Sequence, residues 1–230
     1  MTFAEKVIAF NGALEFTGDL PEGIDMMNPF KRNTHVEQIT REFYSRYFSD
    51  RNPRHIILGI NPGRFGAGTT GIPFTDTIRL NEKCGVPFHG FRTYEPSSAF
   101  VYELIDAFGG VTDFYQKFFI SAICPLGFTR ISNQGRAINY NYYDSKALLE
   151  AVYDFILTTL KKQLDFGIDT SVCFCLGAGK NALFLSRLNN EHKFFKRIIV
   201  LEHPRYIMQY KVNSKKFYID KYLHSIRESL

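Results

Sequence analysis

His55-Ile-Ile-Leu-Gly-Ile60 runs straight into Asn61-Pro-Gly-Arg-Phe-Gly-Ala-Gly-Thr-Thr-Gly-Ile-Pro-Phe-Thr-Asp76, and that junction decides the fold. The first six residues are almost wholly apolar, as expected of a short strand covered on both faces. Five glycines then fall between residues 59 and 71, so the chain turns sharply and lets a ligand approach its backbone. A phosphate cradle is one reading of such a stretch, but no G-x-x-x-x-G-K-[ST] is present. Gly63-Arg-Phe-Gly66-Ala-Gly68 has the wrong order for a dinucleotide fingerprint. A structural turn is the plain alternative, although a turn needs no pattern this long.

Working outward, three more apolar runs read as strands: Phe118–Ile123, Ser171–Leu176 and Arg197–Glu202. Helical spacing separates them. Ser98–Phe108 carries a stripe of Phe100, Val101, Leu104, Ile105 and Phe108 and stops at Gly109-Gly110. Ser145–Leu164 repeats Leu148, Val152, Ile156 and Leu160, and Val36–Phe48, Asn181–Leu188 and Lys216–Ile226 are further helix candidates. Strands alternating with helices predict a three-layer α/β/α sandwich around a four-stranded parallel sheet. Such sheets bind ligands outside the carboxyl ends of their strands, where the unusual sequences of this chain lie.

The chain has 230 residues, 45% of them hydrophobic, which suits a single domain over residues 1–230 with a helical extension around residues 1–50. No apolar run approaches the roughly 20 residues of a membrane span. The first residues lack the pattern of a signal peptide, so the expectation is an intracellular (cytoplasmic) protein. Cys84, Cys124, Cys173 and Cys175 make no C-x-x-C pair and no zinc spacing, so they read as core residues and imply no metal. Charge is unevenly spread. From Arg187 onward ten basic residues face four acids, an excess of six, while the preceding residues are near neutral. A basic C-terminal quarter suits a polyanion-binding edge; solvated lysines on an ordinary helix face explain it equally well.

Gly59-Ile-Asn-Pro-Gly63, with the Phe-Gly and Thr-Gly-Ile-Pro-Phe74 that follow, closely resembles the first motif of the single-strand-selective monofunctional (SMUG-like) uracil-DNA glycosylases. Glu202-His-Pro-Arg-Tyr206 resembles the His-Pro motif of that superfamily. Cys124-Pro125-Leu126 and Gly177-Ala-Gly-Lys-Asn181 resemble two further segments, in the family's order. The resemblance implies a DNA-repair enzyme that turns a uracil out of the strand and hydrolyses its N-glycosidic bond, leaving an abasic site. It implies a monomer without cofactor or metal, whose partner is DNA carrying uracil or a related base. Asn61 is then the candidate for positioning the water and His203 the candidate donor to the developing charge on uracil O2; both also suit structural roles as cap or buried residue. Phe74 is expected to stack on the base. Gly63, without a side chain, is expected to leave room for a substituent at C5. Arg205 and Tyr206 are candidates for a wedge into the strand. Lys180 at a helix start and Lys215 and Lys216 in the basic segment are candidate phosphate contacts. Asp76 either orients water or caps the next segment.

One position departs from the family. SMUG-like enzymes carry, two residues before Cys-Pro-Leu, an Asn whose amide reads the uracil edge; here that place is Ala122. Backbone groups around Ala122, assisted by Ser121, are the expected replacement, although strand alternation points Ser121 to the other face. Asn133, Asn139 and Asn141 on the following polar loop are alternatives. The rival expectation is a protein that keeps the fold and binds nucleic acid without appreciable catalysis.

Overall fold

The computed structural model describes residues 1–31 and 33–229. Among the described residues seven strands form two sheets: β1 (Ile24–Met27), β2 (Arg54–Gly59), β3 (Phe118–Ala122), β4 (Gly127–Ile131), β5 (Ala137–Tyr140), β6 (Ile168–Leu176) and β7 (Arg197–Leu201). The larger sheet has the order β3-β2-β6-β7 and is parallel throughout. β2 lies inside it, which explains its unbroken apolar run: Ile56 and Leu58 have no exposed surface. The smaller sheet, β1-β4-β5, is antiparallel.

Alternation along β2 and β3 sorts the helices into two layers. Ile57 and Phe174 share a face with Ile120 and meet Val101, Leu104, Tyr222 and Ile226 of helices Pro96–Phe108 and Lys215–Arg227. Phe119 faces the opposite way, onto Phe3 and Tyr44 of helices Phe3–Gly12 and Thr34–Tyr47. One continuous hydrophobic core results, reaching from Phe3 to Ile226. The predicted sandwich and its four parallel strands are therefore present.

The segment before β2 is richer than the sequence suggested. A capping box at Thr2 and Glu5 starts helix Phe3–Gly12, which the apolar pattern alone did not reveal. The stretch after Cys124-Pro125-Leu126 is a β-hairpin of β4 and β5, not a loop. Asn139 sits within β5, and Asn133 occupies the turn between the strands. No helix of the described residues is long and apolar enough to cross a membrane. The four cysteines are buried and unpaired with one another.

Candidate active site

Because the four strands are parallel, their carboxyl ends gather at one edge of the sheet. Asn61 follows β2, Ala122 ends β3 and His203 lies two residues beyond β7. There a cavity of about 690 Å³ opens, within the ordinary size of a small-molecule site. Asn61, Gly63, Phe74 and His203 line it, as do Ser121 and Ala122. Arg205 and Tyr206 stand on its rim, with the exposed rings of Phe65 and Tyr210 beside them.

His203 is the N-cap of helix Pro204–Tyr210, and Nδ1 accepts a hydrogen bond from the Arg205 backbone N–H at 3.1 Å. A nitrogen that accepts carries no proton, so this bond assigns the neutral tautomer with its proton on Nε2. Burial lowers the His203 pKa from 6.5 to about 4, and the Arg205 charge pushes the same way. The residue is half-buried and lines the cavity. At neutral pH it is an uncharged donor.

Asn61 is held at both ends of its amide. Nδ2 donates to the carbonyl of Tyr140 at 3.2 Å, and Oδ1 accepts from the Tyr142 backbone N–H at 3.1 Å. The side chain thus ties the end of β2 to the end of β5, a structural duty that the motif did not announce. One lone pair of Oδ1 stays free for a further donor.

Phe74 lies with its ring over Gly59. A Cβ at Gly59 would stand 2.8 Å from the Phe74 ring, so only glycine admits this stacking. Phe74 itself has φ of 51°, a left-handed conformation that costs a non-glycine residue of order 1–2 kcal/mol. The ring is held there, 5.6 Å from the His203 ring, between centroids.

The room beside Gly63 is bordered rather than open. A Cβ on Gly63 would stand 2.7 Å from Oε1 of Glu95 and 3.4 Å from Nδ2 of Asn139. Glu95, which no motif singled out, lines the cavity. Burial holds its carboxyl up at about 7, against an ordinary 4.5; Asp76 adds to the rise and Arg205 opposes it. Asp76 acts as a cap: fully buried, it accepts from the backbone N–H of Arg79 and of Glu95, each at 2.8 Å, and pairs with the Arg79 guanidinium. It does not line the cavity.

Ser121 lines the cavity from the Phe119 side of β3, because the cavity extends around the strand end to that face. Asn139 and Asn141 line it and Asn133 does not. Lys180 stands 6.0 Å from the ring centre of Tyr143, a residue at the cavity edge. Lys215 and Lys216 lie outside the cavity, and Lys215 is paired with Glu103 at 2.6 Å.

The chain is similar to the crystal structure of wild-type Pedobacter heparinus SMUG2, with 57% identity and a TM-score of 0.97 over 99% of this chain and 98% of that one. No curated protein matches it. Residues 45–227 match the family model described as the uracil DNA glycosylase superfamily, which includes both Asn61 and His203. With that match covering most of its length, the chain belongs to the uracil DNA glycosylase superfamily.

Proposed function

We propose that Asn61 and His203 hydrolyse the N-glycosidic bond of a uracil turned into this cavity from DNA. The chain is a monofunctional uracil-DNA glycosylase of the SMUG-like branch. The observation that carries the assignment of roles is the His203 tautomer. With Nδ1 engaged by the Arg205 N–H, Nε2–H is the donor left for the cavity.

As the C1′–N1 bond breaks, the electron pair moves into the base and charge grows on O2. The Nε2–H of His203 stabilises that charge without transferring its proton. A water accepted by the free lone pair of Asn61 Oδ1 adds to C1′ and releases its proton to solvent. The neutral amide positions the water and is no effective base at pH 7, so the barrier falls mainly through leaving-group stabilisation. Phe74 offers its exposed ring face to the base. On the rim, Phe65, Tyr206 and Tyr210 supply stacking surfaces for the flanking bases, and Arg64, 4.9 Å from the Phe65 ring centre, adds charge for the backbone. The protein works as a monomer, Lys180 meets backbone phosphate, and Arg205 with Tyr206 fills the gap in the strand.

A DNA oligonucleotide with a single uracil tests this reading. Incubation followed by alkali should cut the strand at that site, and His203→Ala should remove most of the cutting. An intact strand after incubation with the parent protein defeats the proposal.

A further inference from the structure

We infer that Asn11, on the N-terminal helix Phe3–Gly12, supplies the amide that reads the Watson–Crick edge of the flipped base, in place of the side chain that Ala122 lacks. The inference rests on the glycosylase reading above and deepens it. The uracil edge presents an N3–H donor beside the O4 acceptor. A closed site must match both, and the methyl group of Ala122 matches neither. Among the amides on the cavity wall, Asn61 is bonded to Tyr140 and Tyr142, and Asn139 accepts from the Arg64 N–H at 3.1 Å. Asn141 is turned to Asp144, and Gln209 is exposed at the mouth.

Asn11 is different. It lines the cavity, it is only 9% exposed, and Nδ2 is buried beside the Tyr44 hydroxyl without a well-formed hydrogen bond among the described residues. A buried, unpaired amide is costly, and a folded protein keeps one where a ligand completes it. Its position fits. Tyr44 and Phe119, each 3% exposed, line the cavity beside it and mark the deep end, whereas Phe65, Tyr206 and Tyr210 mark the mouth. A base stacked on Phe74 with O2 toward His203 presents its N3 and O4 edge inward, toward this end. Ser121, on the same face of β3 as Phe119, stands there as a second polar group. The sequence gives no hint of this role, because residue 11 lies before the family match at residues 45–227.

The test is single-turnover cleavage of a uracil-containing single-stranded oligonucleotide by the parent, Asn11→Ala and Asn11→Leu, with melting temperatures measured alongside. Stranding both groups of the uracil edge should slow cleavage by about ten- to a hundredfold in each variant. Neither variant should melt lower, and Asn11→Leu should melt higher, since it removes an unsatisfied buried group. Cleavage within twofold of the parent in both variants overturns the inference and leaves the glycosylase reading standing. Slower cleavage with a lowered melting temperature in both makes Asn11 a structural residue and also overturns it. A parent protein that forms no abasic site overturns both readings.

Discussion

Replacing Glu95 by Gln should stabilise the protein in alkaline solution and hardly at all in acid. The carboxyl has no side-chain hydrogen bond among the described residues, and burial raises its pKa from 4.5 to about 7. The folded protein therefore holds this proton more tightly than the unfolded chain. Between pH 4.5 and 7 the unfolded chain has released the proton while the folded one retains it. Stability contributed by the protonated carboxyl is thus full below 4.5 and lost as pH rises to 7. The shift corresponds to about 3 kcal/mol, reduced to about 2 kcal/mol because solvent reaches the group through the cavity. Gln cannot ionise, so the advantage of Glu95→Gln over the parent should grow by about 2 kcal/mol between pH 4.5 and 8.5. Urea unfolding at both pH values measures it, and taking the difference between two proteins cancels the titration of every other group. An advantage that stays constant with pH would show that Glu95 ionises freely, and the account of its burial would be wrong.

Substituting His203 by Ala should slow single-turnover cleavage by about two to three orders of magnitude, with little change in DNA affinity. In the parent, His203 should contribute no inflection to cleavage between pH 6 and 8, because it stays neutral down to about 4; an inflection there that His203→Asn abolishes would contradict the tautomer. Asn61→Ala should lower cleavage similarly and also cost about 1–3 kcal/mol of stability, since it strands the Tyr140 carbonyl and the Tyr142 N–H; an unchanged urea midpoint would deny the clamp. Lys180→Ala should flatten the salt dependence of DNA binding more than Lys215→Ala, whose ammonium is already engaged by Glu103. Equal slopes for the two would return Lys180 to an ordinary solvated role. Gly63→Ala should displace Glu95 and reduce excision of 5-hydroxymethyluracil more than that of uracil, a ratio read directly from paired single-turnover rates.

The parallel sheet was legible because its strands are short, apolar and separated by strongly periodic helices, and the motif glycines announced where the site would form. The boundaries differ by only a few residues, as with Ile168–Leu176 against the expected Ser171–Leu176. What stayed hidden was built from long-range pairing. β4 and β5 are short and polar on one face, so Asn139 read as a loop residue until its strand partner was known. Asp76 carried two local readings, and the cap was settled only by the Arg79 and Glu95 N–H groups that converge on it. Glu95 and Asn11 lie in no motif. Their environment comes from elements far along the chain, and a sequence read locally cannot supply it. Gly63 shows the converse: the absent side chain was plain, and the carboxyl that borders the space was not.

The hydrogen bond from the Tyr142 N–H to Asn61 Oδ1 makes the chemistry of this protein hostage to its outer sheet. If the β4–β5 hairpin frays, the Asn61 amide, proposed above to position water, loses both of its anchors while the parallel sheet persists. On the proposed roles, such a molecule should still bind DNA but no longer cut it. Amide exchange at Tyr142 therefore counts the molecules that are competent at any moment, and drift in specific activity during storage or heating should track that one proton before any loss of the parallel sheet is visible.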